Sequence, residues 1–459
     1  MVTRQIAAEK IVKDLYGGSL YGQGRGFYVT LELLALAWGS RRANGVALTP
    51  PTEEIRFHRR GHDFARRLLY DPSKISPDEL SSSNQQDTVG LLADVFRSLV
   101  VPVPFKRAVG NWGGFHLYPY VGQLIHYDSV NRKETKTKDG GPHVERYLYR
   151  GGGALAYDLL RRDPNEDRRL RIEAALAGLT DDSLSPLGTL ADRVARHDAH
   201  EPTEPTVDGT LAEVGHSGRE TGWCELLRSG VANILDLKEI QATRVEHLMY
   251  WVPYCLARHQ LELAHLEIGF EVQPIVVDIA GIPALRRESR RSFDRHRRYI
   301  SDALRRRAQR VTEGALTTVD DLRVGTEDVG VFGDLLSGRQ SWNTGVGDFY
   351  AATLAVVGGI NHNTGLRHYT LKLPLLEAIV AATVRSAEGL PFGEFCHDVL
   401  FEQLGLIVDA RSGARADIAR WVDNGDLRIN EAGLASLLDA LGLMTALSDA
   451  TRFVGGMAR

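Results

Sequence analysis

Lysine is scarce in this chain: nine lysines leave 46 arginines among the 55 basic residues. Cysteine is scarcer still. Cys224, Cys255 and Cys396 stand far apart with no CxxC pair, so neither a disulfide framework nor a cysteine zinc site is expected, and a reducing, cytoplasmic setting fits that usage. No Gly-Lys dipeptide occurs, which excludes a Walker A phosphate loop with its GK[ST] ending. HExxH, GxSxG and EF-hand patterns are absent as well, removing the commonest metalloprotease, serine hydrolase and calcium-sensor signatures. The glycines of "YGGSLYGQGRGFY" (Gly22, Gly24, Gly26) follow no convincing strand and miss the GxGxxG spacing, so they read as a turn and not as a dinucleotide site. Long apolar runs are missing too. "FYVTLELLALAWG" and "LPLLEAIVAATV" fall short of the roughly 18 to 20 residues that a membrane span requires. The opening "MVTRQIAAEKIVKDL" spaces its apolar residues helically among charges, unlike a secretory signal.

What is present is ordinary in bulk. The 459 residues are 43% hydrophobic and 25% charged, with a net charge of -4 and a pI near 6.4. That length exceeds what one hydrophobic core usually supports. The expected fold class is mainly α with small β elements (α+β), in several domains. Residues 1–194 read as a mostly helical domain interrupted by an aromatic β segment, "GNWGGFHLYPYVGQLIHYD". Residues 195–221, rich in Pro, Gly, Thr and Glu, read as a linker or long surface loop. Residues 222–344 read as a middle helical domain and 345–459 as a winged-helix-like C-terminal domain. In the first, "TPPTEEIRFHRRGHDFARRLLYDP" predicts a helix capped by Thr52 with Glu53 and Glu54 in its first turn. In the middle, "WCELLRSGVANILDLKEIQATRVEHLMYWVPYCLARHQLELAHLEIG" predicts a long helix bent or broken around Pro253, followed by one strand in "FEVQPIVVDIAG".

The densest charge lies in "ALRRESRRSFDRHRRYISDALRRRAQR", Ala284 to Arg310, with 11 arginines against Glu288, Asp294 and Asp302. Pro283 suits a first helical turn. Leu285, Phe293, Ile300, Leu304 and Ala308 give the narrow apolar stripe that packs such a helix on its domain. With so few acids, most guanidiniums lack an i±4 partner. One reading is a solvated amphipathic helix; another is a phosphate grip, because the planar guanidinium fork matches phosphate and displaced counterions drive binding. On the second reading Arg286, Arg287, Arg290, Arg291, Arg297, Arg298 and Arg305 contact the backbone of nucleic acid, with DNA as the expected partner.

Other chemistry is thin. Asp278, at the end of the expected strand, and Glu271 supply a carboxylate pair for a metal-dependent nuclease or other hydrolase, without the accompanying lysine. His58 and His62, four apart on the expected helix, could share a metal; "HDAHE" at His197 to Glu201 offers ligand types inside the expected linker. Trp112, Phe115, His116, Tyr118 and Tyr120, beside Lys106 and Arg107, suit base stacking, a peptide groove or a filled core. No cofactor, metal ligand set or catalytic residue is assigned from the sequence.

At the C-terminal end, Pro374 opens a helix in "PLLEAIVAATVRSA" and Pro391 opens another in "PFGEFCHDVLFEQLG". "ARADIARWVDNG" predicts a third helix, and "NEAGLASLLDALG" a fourth, capped at Asn430 and stopped at Gly442. "LMTALSDATRFVGG" predicts a hairpin. The helix from Glu431 to Leu441, in the place of a recognition helix, has no Arg or Lys, which suits packing against protein better than reading a groove. The segments "LRHYTLKLPLLEAIVAATV", "PFGEFCHDVLFEQLGLIVD" and "INEAGLASLLDALGLMTALSDATRFV", about a quarter of the chain, resemble the terminal winged-helix segment of uncharacterised subunits from bacterial multi-gene anti-phage operons. The resemblance implies a non-catalytic subunit working beside a separate ATPase, nuclease or methyltransferase; with the cysteine usage and short apolar runs, the expectation is a cytoplasmic scaffold or adaptor without a membrane. A purely protein-binding structural subunit stays open as a third reading.

Overall fold

The computed structural model describes residues 11–18, 20, 26–55, 57–58, 85–100, 118–120, 152–179, 207–208, 219–312, 349–361, 366–385, 388–418, 420–446 and 451–455. The protein is mainly helical with small sheets, and the chain divides into two compact units. One comprises residues 28–213, the other residues 1–27 and 214–459.

The smaller unit holds helices α1 (Phe27–Asn44), α2 (Gln85–Ser98), α3 (Gly153–Arg161) and α4 (Glu166–Leu179), with strands β1 (Phe57–His58) and β2 (Val207–Asp208) paired antiparallel. Every residue of α3 is buried. Its amino end is held by the Glu32 carboxylate of α1, which accepts from Gly153 N at 2.7 Å. Burying that carboxylate is tolerable because a first-turn N–H with no partner inside the helix donates to it and the helix dipole favours it. The Tyr157 hydroxyl accepts from Thr49 N at 2.9 Å and donates to the Ala47 carbonyl at 3.1 Å. The helix expected from Thr52 onward does not begin there: Pro51 and Thr52 form a turn, and Phe57–His58 pairs as a strand. A long-range strand partner at residues 207–208 overrides the local capping signal.

The larger unit is built around α6 (Gln241–Ile268), most of whose residues are buried. A helix apolar nearly all round must be enclosed. Four helices do so: α5 (Gly222–Leu235), α7 (Pro283–Thr312), α8 (Phe349–Val357) and α9 (Leu373–Thr383). Of the bend or break expected at Pro253, the break is absent. α6 runs through the proline, and the chain instead turns at Asp236–Ile240, between α5 and α6. Pro253 forfeits one backbone hydrogen bond, while Trp251, Val252, Tyr254 and Cys255 around it are all buried at 3% exposure or less, each worth about 1.5 to 3 kcal/mol of burial. Packing outweighs the lost bond. At the α5–α6 crossing Gly230 faces the Trp251 indole so closely that a Cβ would overlap the ring; the absent side chain is what lets the two helices meet.

After α6 the chain reverses at Gly269, which takes φ 78°, a left-handed cap that glycine adopts without Cβ strain. Strand β3 (Ile275–Val276) pairs parallel with β5 (Leu406–Ile407). Strand β4 (Leu390–Pro391) leads through one α turn, Phe392–Glu394, into a π-helix, Phe395–Gln403. Helix α10 (Ala410–Arg415) follows, starting from an Asp409 cap and overlapping only the first two residues of the segment expected to be helical, 414–425. Helix α11 (Asn424–Ala440) starts seven residues earlier than expected by count from Asp423, its N-cap, to Asn430. Strands β6 (Met444–Ala446) and β7 (Arg452–Val454) form the expected hairpin, and the sheet order is β4-β7-β6. Asn430 is buried at 0% exposure inside α11. Its amide joins three segments, donating to the Val277 and Val408 carbonyls and accepting from Ile279 N and Ala280 N.

Candidate nucleic-acid interface

The arginine segment folds as α7, 30 residues long, about 45 Å at 1.5 Å per residue. Leu285, Phe293, Ile300 and Leu304 are buried at 2% or less, as the stripe predicts; the Ala308 side chain lies outside the described residues. The buried face is wider and more polar than the stripe. It includes Ser289, Ser292, His296 and Arg307. Ser289 Oγ accepts from Tyr369 N at 2.7 Å and donates to the Tyr369 carbonyl at 3.2 Å, so one serine completes both backbone groups of a residue that carries a bridge to Ile360. His296 Nδ1 is 2.6 Å from the Tyr369 hydroxyl, itself 2.7 Å from the Tyr350 hydroxyl. Burial pushes the His296 imidazole well below its ordinary pKa, with Arg258 and His265 adding to the effect; the ring is therefore neutral at pH 7, and the Tyr369 phenol is raised well above its usual range by the same burial.

Both ends of α7 are anchored by carboxylates. At the start Asp278 Oδ1 accepts from Gly281 N and Ile282 N, each at 2.9 Å, and Oδ2 accepts from Arg286 Nε at 3.0 Å with His368 Nε2 at 3.5 Å. Asp278 is 3% exposed, and both of its oxygens are engaged in holding the turn into the helix. Glu271, by contrast, is exposed, and it is its backbone carbonyl that meets His265 Nδ1, at 3.1 Å. At the far end Glu267 of α6 receives Arg219 at 2.9 Å, Arg310 at 3.2 Å and Arg307 at 3.5 Å, and Arg307 also binds Asp14.

The arginines named from the sequence divide by role. Arg286 is spent on Asp278, and Arg290 is half-buried, its Nε lacking a hydrogen-bond partner. Arg287, Arg291, Arg297, Arg298 and Arg305 are exposed. Arg291 and Arg305 reach Glu288 and Asp302 at 3.2 and 3.3 Å, and Arg298 Nε reaches the Asp294 carbonyl at 3.3 Å. Such surface contacts, two i,i+3 ion pairs and one i,i+4 hydrogen bond to backbone, are worth only a few tenths of a kcal/mol and yield readily to a stronger anion. At 100° per residue Arg287, Arg291, Arg298 and Arg305 fall on one strip directly opposite the buried face, together with exposed Arg295, which the sequence reading did not single out. The strip is about 27 Å long from Arg287 to Arg305. The helical period carries the signal for Arg295, which lies four residues after Arg291.

Elsewhere, His58 sits on β1 and not on a helix, and His62 lies outside the described residues, as do His197 to Glu201 and Trp112, Phe115 and His116. Tyr118 and Tyr120 stack on each other with centroids 5.1 Å apart. Among the described residues no three of His, Cys, Asp and Glu are grouped to hold a metal ion, and no helix is long and apolar enough to cross a membrane. Compared with family models, curated protein sequences and solved structures, the chain matches none of them.

Proposed function

We propose that this chain is a cytoplasmic, non-catalytic scaffold or adaptor subunit that grips the phosphate backbone of nucleic acid through the outer strip of α7. The observation that carries the reading is the strip itself: Arg287, Arg291, Arg295, Arg298 and Arg305, exposed on a helix whose opposite face is locked into the core. A rigid row of planar forks with weak acidic competitors is suited to phosphate, and release of condensed counterions supplies the driving force. No base-reading geometry is implied, because arginines presented in a row to solvent contact backbone and position the protein without specifying sequence.

The second arm of the reading is assembly. The order helix α9, strand β4, helices, helix α11 and hairpin β6–β7, with β7 central in its sheet, supports a winged-helix-like module at this end. Trp421 and Ile429 are exposed at 62% and 58%, a feature that suits a joint to a partner subunit such as a separate ATPase, nuclease or methyltransferase of an anti-phage system. Replacing Arg287, Arg291, Arg298 and Arg305 together by glutamine is expected to weaken binding of any nucleic acid about 100-fold or more in moderate salt without sequence preference. Unchanged affinity in that variant, measured by fluorescence anisotropy, places the grip elsewhere.

A further inference from the structure

We propose that the grip is made for single-stranded nucleic acid, with one base stacked on Phe270 and the adjoining phosphate held in the arginine cavity at the end of α6. The inference rests on the phosphate-gripping reading of α7 and names the form of nucleic acid that this surface takes.

Phe270 directly follows the Gly269 cap and is 58% exposed, although nothing in chain reversal requires a large ring at that position. One face of the ring is already supported. It stacks on Tyr299 of α7, centroids 5.5 Å apart and planes within 10°. Tyr299 in turn meets the His265 ring edge-on at 4.7 Å, and His265 is buried and fixed by its contact with the Glu271 carbonyl. The result is a pre-positioned aromatic platform with its outer face open, so little side-chain entropy remains to be lost when a base settles on it. A duplex keeps its base faces stacked internally and has none to offer; a single strand does.

The platform sits within a row of guanidiniums. On α7 Arg295, at the edge of the outer strip, is followed at helical spacing by Tyr299, Arg306 and Arg310 on the adjoining flank. Arg306 Nη1 donates to the Ile268 carbonyl at 3.0 Å, which brings that guanidinium against the residues just before Phe270. Beyond it opens a groove of about 480 Å³, lined by Arg219, Arg306 and Arg310 with the carboxylates of Glu220 and Glu267 among them, a volume within the range of small-ligand sites. Arg219, Arg307 and Arg310 share the Glu267 carboxylate, Asp14 also meets Arg307, and Glu220 pairs with Arg228, so the arginines around the opening outnumber the acids. Aromatic face and phosphate cradle are thus adjacent, the combination by which single strands are held without sequence preference.

The test is fluorescence anisotropy of the full chain with labelled oligothymidylate and oligouridylate, beside a duplex of equal length, for the unaltered protein, Phe270→Ala and Phe270→Trp. The expected result is a preference for the single strands of about tenfold or more, abolished in Phe270→Ala and kept in Phe270→Trp, with duplex affinity the same in all three. Equal binding of duplex and single strand, or a preference that survives Phe270→Ala, overturns the inference while leaving the arginine strip standing. Absence of binding to every probe overturns both. A difference between the thymidylate and uridylate arms identifies whether DNA or RNA is the strand held.

Discussion

Asn430 shows how a single residue can carry a local signal and serve a distant purpose. In "RINEAG" it resembles a helix cap, because Asn followed by Glu fits a first turn; inside α11 it instead satisfies two carbonyls and two N–H groups of the segments beside β3 and β5. No periodicity in the sequence reveals that, since its partners lie 22 and about 150 residues away. Asn430→Ala leaves those buried groups unpaired and is expected to cost about 3 kcal/mol, read as a lowered urea midpoint with the denaturant slope unchanged. The buried histidines give a second test at this scale. Burial holds His296 and His265 below their ordinary pKa in the folded chain, so the unfolded chain binds their protons first. Their contribution to stability is therefore fully present above about pH 6.5 and is lost as pH falls towards the depressed folded values, by about 1.4 kcal/mol per pH unit for each histidine. Melting temperatures measured from pH 8 to pH 5 should fall along the acid side, and His296→Gln should flatten that fall.

At the scale of elements, the helices with strong periods were legible and the joints between them were not. α7 begins at Pro283 as expected, with its stripe buried, because eleven arginines around five apolar positions admit one amphipathic arrangement. The strand expected in "FEVQPIVVDIAG" survives only as Ile275–Val276, beside a partner from residues 406–407. The break between α5 and α6 and the continuation of α6 past Pro253 depend on burial against four other helices, which composition does not report. Gly230 is the sharpest test of that packing: Gly230→Ala drives a methyl into the Trp251 ring and should cost about 2 kcal/mol or more despite alanine's better helix propensity, measured by chemical denaturation. Were the variant instead more stable, as propensity alone predicts, the α5–α6 crossing would be wrong.

Across the whole molecule, a net charge of -4 coexists with a one-sided row of guanidiniums, so the site shows only in the local count and the helical period. Arg287, Arg291, Arg298 and Arg305 were legible in the sequence as members of one arginine-rich helix, whereas the Arg286–Asp278 pair was not, because it forms only across the turn into α7. Nor was Phe270 beside Tyr299, because the two rings meet only when α6 and α7 pack. The central claim is electrostatic and is tested most directly by the salt dependence of binding by the unaltered chain. With about five phosphates neutralised, the logarithm of the association constant should fall linearly with the logarithm of salt concentration, with a slope of about -3 to -5. A slope near zero, or no binding even at low salt, would contradict the account and return α7 to the role of a solvated helix.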